Sequence, residues 1–386
     1  MAGPARLRIL ITTIHLWPPS GTVMYVRDLA LELDRRGHRP AVFGPTAGAV
    51  ADELRGAGIP VTAHPDRLPW APDVLHAHHH APTLLALRSW PGVPAIHLCH
   101  DHAAADDRTP LDPRIVRHLG VSRVCVERLL REGAPGDRTA LLPNFVDTDR
   151  FRPRGPLPAR PRRALVFSNY ARADTHLAAV TEACREAGLD LDVVGLGVGN
   201  VVLRPELLLG DYDIVFAKGR AAIEAMAVGA AVVLCDFAGV GPMVSARDFD
   251  DLRPVNFGFA ALRAPLRPEP LLREIARYDP GDAAVVRDRI RSEASLSATV
   301  DRLVGFYREA VAAVAAVEAV AAVAEAGSRA TRRDRPRPGR AVRQAWFLRL
   351  VWAWRSLSPG LRSRIGRLPG LDRVRRATRR LFGEAG

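Results

Sequence analysis

The stretch "DYDIVFAKGRAAIEAMAVGAAVVLCD", Asp211 to Asp236, decides the fold. "DIVFA" is an apolar run of strand length, "AAIEAMAVG" spaces its apolar residues as a helix does and closes on glycine, and "AAVVLCD" returns to a strand. Between the first strand and the helix, expected to begin near Ala221, lie Lys218, Gly219 and Arg220. A helix N-terminus leaves backbone N–H groups without partners, so two cations and a glycine backbone gathered there suit a phosphate or diphosphate. Glu224, four residues beyond Arg220, shares its helix face, and a carboxylate one turn inside an anion site suits paired hydrogen bonds to sugar or ribose hydroxyls. The competing reading is a plain Arg220–Glu224 surface pair, worth roughly a few tenths of a kcal/mol. Lys218 stands out for a second reason: among 55 Lys and Arg it is the only lysine in the chain.

Outward from this stretch the same alternation recurs. "LRILITTIHL" reads as a buried strand, "WPPSG" as a loop, "TVMYVRDLALELDRRGH" as an amphipathic helix closed by Gly37, and "RPAVFGP" as a strand. The loop puts Ser20 and Gly21 just before a helix N-terminus, where a missing Cβ lets an anion approach the backbone; a simple turn glycine is the competing reading. Strands "DVLHAHH" and "PAIHLCHD" and helix "SRVCVERLLREGA" follow. "RFRPRGPLPARPRR", Arg150 to Arg163, holds four prolines and no periodicity, which marks a linker. A second series then opens at "ALVFSNY" and runs through helix "THLAAVTEACREAG" and strand "LDVVGLG" to the opening stretch. Two such series predict an α/β protein of two doubly wound Rossmann-like domains facing a cleft, with ligand at the carboxyl ends of the strands. The expected parts are an acceptor-side domain over 1–155, a donor domain over 156–311, an Ala/Val-rich helix over 312–326 and a basic tail over 327–386.

Charge separates the tail from the rest. The 386 residues carry a formal net charge of +13, but 327–386 hold 17 arginines against three acidic residues, so the tail is +14 and the body −1. Trp346, Phe347, Trp352 and Trp354 cluster among these arginines in "GRAVRQAWFLRLVWAWRSL". Aromatic bulk flanked by Arg predicts an interfacial segment lying on an anionic membrane; a solvated, disordered tail competes, and nucleic acid is the least expected partner. Cys99, Cys125, Cys184 and Cys235 are far apart and form no CxxC pair, no signal peptide is evident, and no run of about 18 apolar residues would span a bilayer. The expectation is a cytoplasmic protein, peripheral on the membrane.

The histidines His76, His78, His79, His80, His97, His100 and His102 invite a metal. Adjacent strand positions face opposite ways, however, so His78 and His79 cannot both reach one ion, and neither a metal nor a cofactor is expected. His100, at the end of a first-domain strand, is placed to meet a substrate in the cleft, with a structural role as the competing reading.

Taken in order, "PPSGTVMYVRDLALELDRRGH", "HLCHDH", "LLPNFVDTDRF" and "RAAIEAMAVGAAVV" resemble the family-4-like (group 1) retaining glycosyltransferases of GT-B fold, over roughly Leu7 to Val311. The resemblance implies transfer of a sugar from a nucleotide-diphosphate sugar to a hydroxyl acceptor, lipid-linked ones included, with retention at the anomeric carbon, in surface glycan, glycolipid or natural-product synthesis. By position it places Gly21 beside the diphosphate, His100 near the reacting sugar and Glu224 on the nucleotide ribose. Two departures accompany it. Phe216 stands where the family's donor helix carries a first glutamate, and "VFSNYARADTH" offers Asn169 and Thr175 where the family has a basic pair, with Arg172 as a substitute for one of them. Lys218 and Arg220 would restore that charge from the donor-helix side. A catalytically silent nucleotide-sugar or glycan-binding subunit at the membrane is the alternative.

Overall fold

The structure, a computed structural model, describes residues 6–44 and 48–332, and for 317–332 the helical backbone alone. The chain forms two compact units, residues 1–307 and 308–386. Both sheets lie in the first.

The first sheet is built from β1 (Arg8–Thr12), α1 (Gly21–Arg35), β2 (Arg39–Phe43), α2 (Ala49–Gly56), β3 (Val61–Thr62), β4 (Val74–His78), α3 (His80–Ser89), β5 (Ala95–Cys99), β6 (Ile115–Gly120), α4 (Arg123–Arg131) and β7 (Thr139–Leu141). Its order is β3-β2-β1-β4-β5-β6-β7, with every pair parallel. After an irregular segment the second sheet follows: β8 (Arg163–Phe167), α5 (Leu177–Glu186), β9 (Asp190–Val194), β10 (Ile214–Ala217), α6 (Gly219–Val228), β11 (Ala231–Asp236) and β12 (Gly239–Met243). Its order is β12-β11-β10-β8-β9, with only β12 antiparallel. Then come α7 (Phe249–Leu252), α8 (Pro268–Ile275), α9 (Pro280–Glu293) and α10 (Leu296–Arg332).

Continuous apolar strands explain this layering. β4, β5, β10 and β11 are buried along their whole length, as strands must be when helices cover both faces of a parallel sheet. In each sheet the chain reverses its winding direction next to its first strand, between β1 and β4 and again between β8 and β10. Loops leaving such neighbours diverge and open a crevice at their carboxyl ends.

The expected linker, Arg150 to Arg163, has no regular structure up to β8, yet it is pinned: Arg154 N–H donates to Val228 O at 2.9 Å, and its guanidinium reaches Asp213. The chain then returns to where it began. The Leu296 N–H donates to Val146 O at 2.9 Å, Arg36 holds Ser297 and Asp301, and the buried Tyr307 hydroxyl lies 2.7 Å from His76 Nδ1. Residues 296–307 thus close onto the first sheet. Among the described residues no helix is long and apolar enough to cross a membrane. The expected tail over 327–386 lies outside the described residues from 333 onward.

Candidate active site

The loops after β1, β4, β5, β8 and β10 converge on one cleft of about 520 Å³, within the usual range for a small-molecule site. Gly21, His100, Lys218, Gly219, Arg220 and Glu224 all line it. Arg172 does not.

Two helix N-termini face each other there. Ser20 caps α1, its Oγ accepting from the Val23 N–H at 3.3 Å, and Gly21 is the first helical residue. A Cβ built on Gly21 would stand 3.9 Å from the Cβ of Arg220, so the first turn of α6 lies directly opposite. Lys218 is the N-cap of α6, and the helix starts at Gly219, two residues earlier than expected. Gly219 adopts φ +58, a left-handed value that costs glycine little, and its N–H donates to Phe257 O at 2.8 Å. At the far end Gly229, at φ +95, closes the helix.

Arg220 and Glu224 do pair, Nε to Oε1 at 2.7 Å, but the pair is buried rather than superficial. Arg220 also donates through Nη2 to Asp28 on α1, which in turn takes Arg27 Nη1 at 2.6 Å and Arg150 Nη1 at 3.1 Å. Nη1 of Arg220 is buried without a hydrogen-bond partner among the described residues, in a residue lining the cleft, which leaves one charged donor uncommitted. Burial, which disfavours the ionised form, pushes the Glu224 carboxyl up to about 7 against the pull of Arg220.

Lys218 reaches a different set of partners. Its ammonium lies 3.1 Å from Asp236 Oδ2, at the end of β11, and stands over the rings of Phe259 at 4.1 Å and Tyr170 at 5.0 Å. Its side chain is 18% exposed. Beneath it Asp236 Oδ1 accepts the Phe237 N–H at 2.7 Å and lies 3.7 Å from Nδ1 of the buried His176.

Arg172 points along its own loop, with Nε 3.0 Å from Asp174 and a side chain 59% exposed. Asn169 instead occupies the junction. Its Nδ2 donates across the cleft to Pro19 O at 2.8 Å while its Oδ1 accepts the Leu196 N–H at 3.1 Å.

On the opposite wall His100 lines the cleft, its Nε2 lying 2.8 Å from His78 Nδ1. Burial holds His100 well below the ordinary histidine range, and Arg220 adds to the effect. His79, at φ +62, is buried at the head of α3 and is lowered to about 4, chiefly by burial. Among the described residues no three His, Cys, Asp or Glu side chains converge as metal ligands.

Comparison with known proteins agrees with this fold. Residues 19–150 match the model for Glycosyltransferase Family 4. A glycosyltransferase from Rickettsia africae ESF-5 superposes with a TM-score of 0.60 at 16% identity, over 79% of this chain and 99% of that one. The chain has the GT-B fold, and its residues 19–150 resemble glycosyltransferase family 4. Other solved structures of this fold are Anabaena HepE in complex with UDP-glucose (TM-score 0.58, 13% identity, 79% of this chain and 100% of that one) and sucrose-phosphate synthase from Thermosynechococcus elongatus (0.53, 17%, 80% and 100%). No curated protein matches it in sequence.

Sequence reading missed Asp28 and Asp236, and it weighed His78 only as a metal ligand. Asp28 left a trace: it falls on the apolar face of α1 beside Tyr25 and Leu29, where a carboxylate needs a buried partner. Asp236 and His78 end buried strands and carried no local signal of their partners.

Proposed function

We propose that this chain moves a glycosyl group from a nucleotide-diphosphate sugar to a hydroxyl acceptor, with retention at the anomeric carbon. The C1–O bond to the diphosphate breaks and a new C1–O bond forms to the acceptor oxygen, whose proton leaves toward the departing diphosphate. The observation that carries this reading is the facing of α1 and α6 across Gly21 and Arg220, 3.9 Å apart at Cβ. Two helix N-termini, a buried Arg220 with an uncommitted Nη1, and Lys218 are what a departing diphosphate requires when no side-chain proton is spent on it. Glu224 is assigned to the ribose hydroxyls, and His100 to the sugar. HepE, a protein of the same fold, binds UDP and UDP-glucose, which supports a nucleotide-sugar donor here.

The test is thermal stability of the full chain against UDP-, GDP- and ADP-sugars, followed by donor hydrolysis and transfer, because a ligand that binds only the folded state raises stability by mass action. Stabilisation by none of them would overturn the reading.

A second reading, a silent nucleotide-sugar-binding subunit, is favoured by one observation. Phe216, at the position of the family's first donor-helix glutamate, is fully buried in β10 and packs in the core beneath the sheet. Donor stabilisation with no hydrolysis or transfer in the presence of an acceptor panel would select it.

We assign the arginine-rich segment 327–386 to the anionic surface of a membrane, on its charge of +14 and its tryptophans. Sedimentation of the full chain with anionic vesicles, weakening with added salt, is the expected result; equal binding to neutral vesicles would refute it.

A further inference from the structure

Nε2 of His100 and Nδ1 of His78 lie 2.8 Å apart, and both rings are neutral, held well below the ordinary histidine range by burial. One proton therefore sits between them, and a neutral imidazole carries only one N–H. If His100 donates, His78 must bear its own proton on Nε2, which is buried with no partner among the described residues. If His78 donates from Nδ1, the same Nε2 is a bare lone pair. A buried, orphaned N–H forfeits a full hydrogen bond to water and is the rarer defect, so the second arrangement is favoured.

The setting of His78 holds it to this task. Its N–H donates to Thr12 Oγ1 at 3.0 Å and its carbonyl accepts from the same hydroxyl at 2.9 Å, which locks the end of β4 onto β1. Its ring is packed between His76, at 4.6 Å between centroids, His100 at 4.8 Å and the edge of Tyr25 at 5.4 Å. These neighbours hold the plane of the ring, and the orientation present turns Nδ1 to His100.

We propose that His78 is a positioning residue that fixes His100 as the Nδ1–H tautomer, so that His100 presents a hydrogen-bond donor, and not a base, to the cleft. With Nε2 occupied by the His78 proton, the remaining ring nitrogen is Nδ1, which has no hydrogen-bond partner among the described residues and belongs to a residue lining the cleft. A neutral N–H there stabilises an oxygen that gains charge or a sugar hydroxyl that must be oriented; it cannot remove the acceptor's proton. The catalytic consequence rests on the glycosyl-transfer reading above, but the tautomer does not.

The experiment is long-range proton–nitrogen NMR of the full chain carrying 15N-histidine, with His100 assigned by its loss in His100→Gln. Protonated Nδ1 and unprotonated Nε2 at His100 is the expected result, and protonated Nε2 overturns the proposal whether or not any transfer is detected. His78→Phe removes the donor and should release His100 into a mixture of tautomers, while His78→Asn, whose side-chain amide N–H replaces the Nδ1–H, should keep the Nδ1–H form. If the tautomer of His100 is unchanged in folded His78→Phe, His78 does not set it. Where transfer or donor hydrolysis is measurable, His78→Phe should lower kcat about tenfold or more with donor KM little changed, and His78→Asn should restore most of it. Equal kcat in all three proteins would equally refute the positioning role.

Discussion

The carboxylate of Asp28 on α1 accepts the guanidinium of Arg220 on α6, joining the two sheets through a buried ion pair between residues 192 positions apart. Arg27 and Arg150 reach the same carboxylate, so one acid anchors three guanidinium groups. Burial alone makes such a group costly, and it is repaid only while the set is complete. Asp28→Ala should therefore reduce unfolding free energy by about 3–5 kcal/mol, measured from urea midpoints. A loss below about 1 kcal/mol would mean that water enters and solvates the arginines.

Glu224→Gln should weaken nucleotide-sugar binding by more than about tenfold, or roughly 1.4 kcal/mol, through loss of a charged acceptor for paired hydroxyls. Its effect on stability depends on pH. The folded carboxyl titrates at about 7, above its ordinary 4.5, so between those values the folded chain holds a proton that the unfolded chain releases. Stability contributed by this group accordingly falls as pH rises from about 4.5 to about 7, and the glutamine variant should lack that slope. Calorimetric melting of both proteins across this range checks the sign.

Lys218→Arg keeps the charge but should cut turnover about tenfold, because a planar fork cannot take the place of a compact ammonium held between Asp236, Phe259 and Tyr170. Lys218→Ala should cost at least as much. Steady-state donor hydrolysis at fixed ionic strength compares them, and full activity in the arginine variant would reduce Lys218 to any cation.

Arg172→Ala should leave donor affinity within about twofold, since its exposed guanidinium is spent on Asp174 in a pair worth at most about 1 kcal/mol. Asn169→Ala should do more harm. Titration calorimetry with the best nucleotide sugar ranks the two, and the reverse order would return Arg172 to the site.

These contrasts mark what the sequence could carry. The strand and helix from Ile214 to Val228 were legible because their apolar spacing is local, and so was the Arg220–Glu224 pairing, which the helical repeat enforces. Burial of that pair was not legible, because it depends on Asp28 arriving from a helix in the other sheet. The direction of Arg172 was hidden for a related reason. A loop's composition offers a cation, but only its path decides whether the guanidinium turns to the cleft or to an aspartate two residues on. His78 ends β4 while His79, at φ +62, already turns into α3, so the alternation expected of neighbouring strand residues does not apply to them, and the contact between His78 and His100 required the parallel register of β4 and β5.

A chain with one lysine has one ammonium side chain for amine-selective reagents to find, and here that side chain sits in the wall of the cleft. Reductive methylation or acylation of the intact protein would modify Lys218 and the terminal amine and no other amine on the chain. Because its nitrogen is held by Asp236 and roofed by two aromatic rings, the rate of modification reports how often that enclosure opens. Lys218 is thus a built-in chemical reporter, and a bound donor can be followed by the protection it gives to a single, unambiguous site.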